Sequence, residues 1–457
     1  MVTFKTSDVV KATGGTLVCG GECDILSVCT DSRKIEKDCL FVPWVGEKFD
    51  GHDFIFSALA DGAAGCICAK VPEEKVEGKF YIQVEDTRLA LKALASWYRS
   101  KFSIPFVQVT GSVGKTTTKE MIATVLSTRF NVLKTAANFN NDIGTPMTMF
   151  RLMPEHEVAV IETGMNHAGE IRYLGEIVRP NVAVISNVGD AHIEFFGTRE
   201  GILKAKCEIF ENLKSDGIAV MCGDDALLNT VELPQMIFRC GSGENCTVRV
   251  TDIVDRGMDG ISCRVTTDSN TTYDLEIPAP GVHMIYSSSI ATLIGEKLGL
   301  TREEIIRGVS EFTPTGDRMK VEKLADGRVL LNDYYNANPQ SMAAALQILS
   351  NMECTKKIAV LGDMGELGAA AEKAHTELGV RAAESKVDVL FAIGEGSRLT
   401  AKAAEEAGGT EVHWYAKQEE AFADIAAAFV PGAAMLVKAS RFCHLEHTAN
   451  YLREFKF

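Results

Sequence analysis

Six apolar runs of strand length, separated by stretches of helical periodicity, set the limits on what this chain can fold into. They are FVQVT (106–110), VAVIET (158–163), VAVISNVG (182–189), IAVLGD (358–363), VLFAIG (389–394) and MLVKAS (435–440). A strand buried on both faces reads as a continuous apolar run, so the pattern predicts α/β domains with mainly parallel sheets. Residues 225–280 read differently. There DIVDRGMDGISCRVTTDSNTTYDLEI alternates short β-rich pieces with turn residues, which predicts an antiparallel insert or extension. At 457 residues the chain is longer than one hydrophobic core usually supports. Three blocks are expected: 1–90, 91–313 and 314–457.

Composition removes several functional classes. A net charge of -15 disfavours a nucleic-acid partner, because backbone binding needs basic surface. Any anionic substrate must then be held by local Lys, Arg and amide groups. The thirteen cysteines are scattered without the paired spacings of a zinc site, which suits reduced thiols in a cytoplasmic protein. The N-terminal MVTFKTSDVVKATGG mixes charges into its apolar residues and lacks a signal-peptide core. The run FIFSALADGAAGCICAK is broken by Asp61 and too short for a bilayer, so no membrane span is expected.

The strand FVQVT leads into Gly111-Ser112-Val113-Gly114-Lys115-Thr116, and TTKEMIATVLSTRF continues with helical periodicity. Strand, glycine-containing loop and helix N-terminus together form an anion cradle, since free amides and the helix dipole both face a bound phosphate. Lys115 would reach the β- and γ-phosphates of ATP or GTP, and the hydroxyl of Thr116 or Thr117 would touch Mg2+. The full eight-residue motif is not matched, because Val109 stands where its first glycine belongs. A second candidate is Glu162, which follows the apolar run VAVI. That places a carboxylate at the C-terminal edge of a parallel sheet, where α/β folds bind ligands and where one carboxylate plus phosphate oxygens suffices for Mg2+.

The loop TGSVGKTTTKE, without the first glycine, resembles the Mur ligases and their relative folylpolyglutamate synthase. The resemblance extends over nearly the whole chain. Thr30-Asp31-Ser32-Arg33 followed by CLFVPWVGEKFDGHDF resembles a uridine-nucleotide-binding domain of that family. NFNNDIGTP (138–146), ETGMNHAGEI (162–171), NVGDAHIEFFG (187–197) and KAKCEIF (204–210) match its central signatures in order. GDRM (316–319), DYYNANPQSM (333–342) and VLGDMGELG (360–368) match its third domain.

The resemblance implies an α/β, three-domain Mur ligase architecture with a central P-loop ATPase domain and a Rossmann-like C-terminal domain. It implies ATP and Mg2+. Its implied reaction joins an amine to a carboxylate activated as an acyl phosphate. The NANPQSM and DGHDF segments favour the branch that adds D-alanyl-D-alanine to a UDP-linked muramoyl tripeptide. Addition of diaminopimelate, lysine or glutamate, or NTP hydrolysis without ligation, remain alternatives. A cytoplasmic monomer is expected.

By the same resemblance Glu162 and His192 are metal residues with Thr116, and Lys206 is carbamylated by CO2 to support a second Mg2+, with Lys204 as a rival. Carbamylation needs a neutral amine, which burial near another charge could provide. Lys115, Lys206, His192 and Arg318 would carry the chemistry. Gly111 to Thr117, Ser287, Arg318 at phosphate and Asp333 at ribose would hold the nucleotide. Asp31, Ser32, Arg33, Gly46, Asn138, Asn140, Asn141, Asn336 and Asn338 would meet the other substrates. Three positions depart from the family pattern. Met284 and Ser287 stand where asparagines are usual, and Ala439 replaces a glycine, at a cost of about 1 kcal/mol if the backbone there has a positive φ.

Overall fold

A computed structural model describes residues 1–46, 48–315 and 318–455. Gly316 and Asp317 of the GDRM run lie outside the described residues. The chain divides into two compact units. The first comprises Met1–Val109, Phe130–Ala183 and Glu208–Ile218; the second comprises Thr110–Arg129, Val184–Cys207 and Ala219–Phe457.

The first unit contains the strands Ser27–Cys29, Cys39–Phe41, Gly65–Cys68 and Phe80–Gln83, paired in parallel, with Thr16–Cys19 antiparallel at the end. Asp86 starts the helix Thr87–Arg99 by accepting from the amides of Arg88 (2.7 Å) and Leu89 (3.0 Å), satisfying two donors that the helix itself cannot. Ala90, Leu91, Leu94, Ala95 and Tyr98 form its buried stripe, the spacing of one helical face. Tyr98 is fully buried and keeps its hydroxyl satisfied, donating to the Leu152 carbonyl at 2.8 Å and accepting from the Val2 amide at 2.7 Å. In the same unit Val158–Glu162 pairs in parallel with Phe106–Thr110 and with Val132–Lys134. Every residue of Val158–Glu162 is buried, which is what its unbroken apolar reading predicts.

The second unit carries the expected antiparallel extension as Val248–Asp255, Ile261–Thr266 and Thr272–Ile277. Its C-terminal part is a six-stranded sheet. Lys320–Lys323 lies antiparallel at one edge, followed in parallel by Val329–Asn332, Ala434–Lys438, Lys357–Gly362, Val389–Ile393 and Glu411–Tyr415. Side chains alternate across a strand. Ala359 and Leu361 therefore enter one core with Leu331, Leu390 and Leu436, while Ile358 and Val360 enter another with Leu330, Phe391 and Val437. Helices Pro339–Asn351 and Ala371–Glu384 cover the first face, and Gln418–Ala428 and Glu446–Glu454 the second. Two covered faces make this a Rossmann-like arrangement. The apolar run at 182–189 is strand only as Val182–Ile185; Ser186 to Gly189 form a loop. Among the described residues no helix is long and apolar enough to cross a membrane.

Candidate active site

The loop after Thr110 is shaped by contacts that the sequence does not announce. A Cβ on Gly111 would lie 1.9 Å from the Ser186 hydroxyl, so no side chain fits there. Gly114 has open space around it but a φ of +77°, and it immediately precedes the helix Lys115–Ser127. The first glycine is required by close approach, the second by backbone conformation. Asn187 Oδ1 accepts from the amides of Ser112 (3.1 Å) and Val113 (2.8 Å), and the Ser186 hydroxyl donates to the Val113 carbonyl at 2.7 Å. Those two amides were expected to face phosphate, and here they belong to Asn187. No side chain caps the helix, so its first turn is the anion-binding end. Lys115 Nζ arches over the loop, donating to the carbonyls of Gly111 (2.8 Å) and Ser112 (3.4 Å). Gly111→Ala is expected to weaken binding of a nonhydrolysable ATP analogue at least tenfold, about 1.4 kcal/mol, in calorimetric titration.

Much of the predicted nucleotide set lines one cavity of about 290 Å3 inside the second unit. Ser112, Val113, Gly114, Lys115 and Thr117 form one wall, and Ser287, Arg318, Asp333, Asn336 and Asn338 contribute to the rest. The Arg318 guanidinium stacks 4.5 Å above the Tyr335 ring. Asp333 is more constrained than a ribose-binding carboxylate needs to be. Its Oδ1 accepts from the Met319 amide at 3.1 Å and its Oδ2 from Lys438 Nζ at 2.5 Å. Lys438 is 1% exposed and also donates to the Asn336 carbonyl, so the pair is a buried ion pair held by further hydrogen bonds. Ser287 exchanges a 3.0 Å hydrogen bond with Thr118, and Met284 brings a thioether to the same wall. His283 also lines the cavity. Ala439 is buried and is not at a positive-φ position, so the penalty anticipated for replacing glycine does not arise.

Lys206 sits on the helix Arg199–Cys207 with 1% of its surface exposed, whereas Lys204 is exposed. Among the described residues no hydrogen bond or ion pair reaches Lys206. Burial first, and the Lys115 charge second, hold its ammonium well below the usual lysine range. That shift favours the neutral amine, the species that can take up CO2. His192, at a left-handed φ of 65°, has Nδ1 2.6 Å from Glu366 Oε2, off the line of a well-directed hydrogen bond. The imidazole beside Glu366 holds that carboxyl below its ordinary range. Thr116 Oγ1 is buried without a hydrogen-bond partner among the described residues.

Within the first unit, Glu162 Oε1 accepts from Asn140 Nδ2 at 2.8 Å while Oε2 is buried and unpartnered. A carboxylate oxygen left unsatisfied is a hard-oxygen donor of the kind Mg2+ prefers, so Glu162 fits that ion. Asn141 is spent differently, accepting from the Gly144 amide at 2.8 Å, and Asn138 is exposed. Asn338 likewise starts the helix Pro339–Asn351 in a reciprocal cap with Ser341, and Asn336 accepts from the next amide, that of Ala337. Asp31 caps the 3-10 helix Ser32–Lys34 and accepts from Nε (2.8 Å) and Nη2 (2.9 Å) of the exposed Arg33. That guanidinium holds the Asp31 carboxyl down at about 2. Gly46 lies against Trp44 and Phe49, whose rings meet edge-on 5.2 Å apart.

Three family models match in order: the Mur ligase family catalytic domain over residues 24–99, the Mur ligase middle domain over 109–295, and the Mur ligase glutamate ligase domain over 317–441. The UDP-N-acetylmuramoyl-tripeptide–D-alanyl-D-alanine ligase of Bacillus subtilis is 36% identical over 437 residues, covering 94% of this chain and 93% of its own. The chain belongs to the Mur ligase family. The fold of this Mur ligase also matches MurF from Acinetobacter baumannii with a TM-score of 0.91 and 32% identity, each chain covered to 99%. MurF of Thermotoga maritima, solved in complex with ADP, matches with a TM-score of 0.81 and 29% identity over 94% of this chain and 97% of that one. This Mur ligase therefore has the family's N-terminal, middle and C-terminal domains, as its ordered motifs imply. Asn187 and Lys438 are the residues that sequence reasoning did not assign. Lys438 carries the one available signal, a lysine at the end of an apolar strand.

Proposed function

We propose that this Mur ligase joins D-alanyl-D-alanine to UDP-N-acetylmuramoyl-tripeptide, converting ATP to ADP and phosphate, in peptidoglycan precursor synthesis. The observation that carries the reading is near-full-length likeness to ligases bearing that activity in name, at 36% identity. An uncapped helix N-terminus, Lys115 and a buried, unpartnered Lys206 within one unit support it.

The chemistry follows from charge. The terminal carboxylate of the tripeptide attacks the γ-phosphorus of ATP; an acyl–phosphate bond forms and ADP leaves. The D-alanyl-D-alanine amine then attacks the acyl carbon, losing a proton, and phosphate leaves. Both steps bring anions or developing anions together, so cations must offset the repulsion. We assign Lys115 to the β- and γ-phosphates and Arg318, with its planar fork of donors, to the transferring group. Asp333, fixed by Lys438, is assigned to ribose. Mg2+ would be held by Thr116, Glu162 and His192, with Lys206 as a carbamate for a second ion, and would supply charge neutralisation at the phosphates. The loop at Asp31, Ser32 and Arg33, together with Gly46, is assigned to the uridine nucleotide. Asn138, Asn140, Asn141, Asn336 and Asn338 are assigned to the remaining substrate groups, the capping asparagines through their free NH2.

We take 1–90, 91–313 and 314–457 as the working domains of a cytoplasmic monomer. The test is ADP release with D-alanyl-D-alanine, diaminopimelate and D-glutamate compared as acceptors. ADP formation is expected only when UDP-linked tripeptide and D-alanyl-D-alanine are both present. Preference for another acceptor, or ATP turnover with none, would refute the assignment.

A further inference from the structure

The loop that shapes the phosphate site is itself gripped from the C-terminal sheet. Within the second unit, residues 186–194 make two sets of contacts. On one side Asn187 and Ser186 hold Ser112 and Val113, and the Ser112 hydroxyl donates to the Gly189 carbonyl at 3.3 Å. On the other, His192 Nδ1 faces Glu366 Oε2 at 2.6 Å, and the Glu194 amide donates to the Glu366 carbonyl at 3.4 Å. Gln340 Nε2 donates to Asp190 Oδ2, and Gln340 Oε1 accepts from the Asp190 amide at 3.3 Å. Ile193 packs into the core formed by Met364 and Leu367.

Two features indicate that these contacts serve more than packing. His192 and Glu366 face one another from left-handed backbone conformations, at φ of 65° and 61°, which side chains adopt only where the surroundings impose them. Gln340 meets Asp190 through both its donor and its acceptor, a fit that neither Glu nor Leu could reproduce. Gln340 also lines the nucleotide cavity whereas Glu366 does not, so the Glu366 variants separate the hold on this loop from direct contact with nucleotide.

We propose that Glu366 and Gln340 are positioning residues: they hold the 186–194 loop so that Asn187 shapes the phosphate loop and His192 is oriented through Nδ1. Docking of the C-terminal sheet and readiness of the phosphate site are then one event. This rests on the assignment of nucleotide to the loop at 111–117, and for turnover on the ligase reading.

The test uses the full chain carrying Glu366→Ala, Glu366→Gln, Gln340→Glu or Glu366→Ala with Gln340→Glu. Binding of a nonhydrolysable ATP analogue with magnesium chloride is measured by calorimetry, and kcat and KM for ligation are measured alongside. Glu366 is about half exposed, so its variants are expected to fold, which circular dichroism verifies. Glu366→Ala and Gln340→Glu should each weaken the analogue about tenfold and lower kcat by about tenfold or more, leaving KM for the UDP-linked substrate within twofold. The double variant should be little worse than either single one, because both act through one loop. Glu366→Gln, which keeps an oxygen beside Nδ1, should recover most of the affinity. Unchanged affinity in the folded single variants, or fully additive losses, would overturn the proposal. If wild-type protein binds the analogue but forms no ligation product, the ligase reading fails while the affinity measurements still decide the latch.

Discussion

Lys206→Met is expected to lower ligation by two to three orders of magnitude while making the protein more stable. The two effects come from one physical fact. Lys206 is 1% exposed and has no described partner, so its charged form is unsatisfied in the fold. Its ammonium is held well below the usual value while the unfolded chain keeps the ordinary one. Between those two values the unfolded state binds more protons than the folded state, so stability rises with pH across that window. Methionine fills similar space without a charge, removes the penalty and flattens that dependence. A gain of about 1–2 kcal/mol is typical when a functional residue that opposes folding is replaced. The loss of rate follows from removing the group that, as a carbamate, is assigned to hold the second Mg2+ near the phosphates, where one such electrostatic stabiliser is commonly worth about 10²–10³ in kcat. Chemical denaturation across pH and steady-state ligation on the same preparation check both halves. Unchanged activity would remove Lys206 from the mechanism, and a destabilised variant would contradict the account of its burial.

Lys115→Met should be comparably severe for a different reason. Lys115 Nζ already lies on the carbonyls of Gly111 and Ser112, so little rearrangement separates it from a phosphate seated at the helix N-terminus. Its charge also contributes to keeping Lys206 neutral. Replacing it removes a cation from the transferring group and lets the Lys206 ammonium move back toward its ordinary value. A fall in kcat of about 10²–10³-fold is expected, with a smaller loss of ATP affinity because the helix N-terminus remains. Single-turnover measurements separate the two; an unaltered rate at saturating ATP would contradict the assignment.

What the sequence could and could not express follows from the range of the interactions involved. The phosphate loop was legible because its determinants are local: an apolar strand, two glycines, a lysine and a helical stretch within about twenty residues. The parallel sheets were legible because burial on both faces leaves an unbroken apolar record, and Ile358–Leu361 sends alternate side chains into two cores as that record requires. The role of Asn187 was not legible, since it depends on a 3 Å approach between segments 75 residues apart. Periodicity treats Lys204 and Lys206 alike; the motif resemblance favours Lys206, and its burial separates the two. Asn141 and Asn338 carry a structural function beside the one their motifs imply. Their motif resemblance drew attention to substrate, yet each side-chain oxygen satisfies a helix N-terminus, a function readable from Asn followed by Pro-Gln-Ser at 338–341. The expected cost at Ala439 rested on a backbone conformation that the strand end does not adopt.

The most direct measurement follows oxygen atoms. UDP-linked tripeptide labelled with 18O in its terminal carboxylate is incubated with ATP and D-alanyl-D-alanine, and the inorganic phosphate is examined by mass spectrometry. If the carboxylate attacks the γ-phosphorus, the acyl phosphate carries one labelled bridging oxygen and each released phosphate contains one 18O atom. Phosphate free of label, with oxygen supplied by water instead, would contradict activation by phosphoryl transfer at the 111–117 loop.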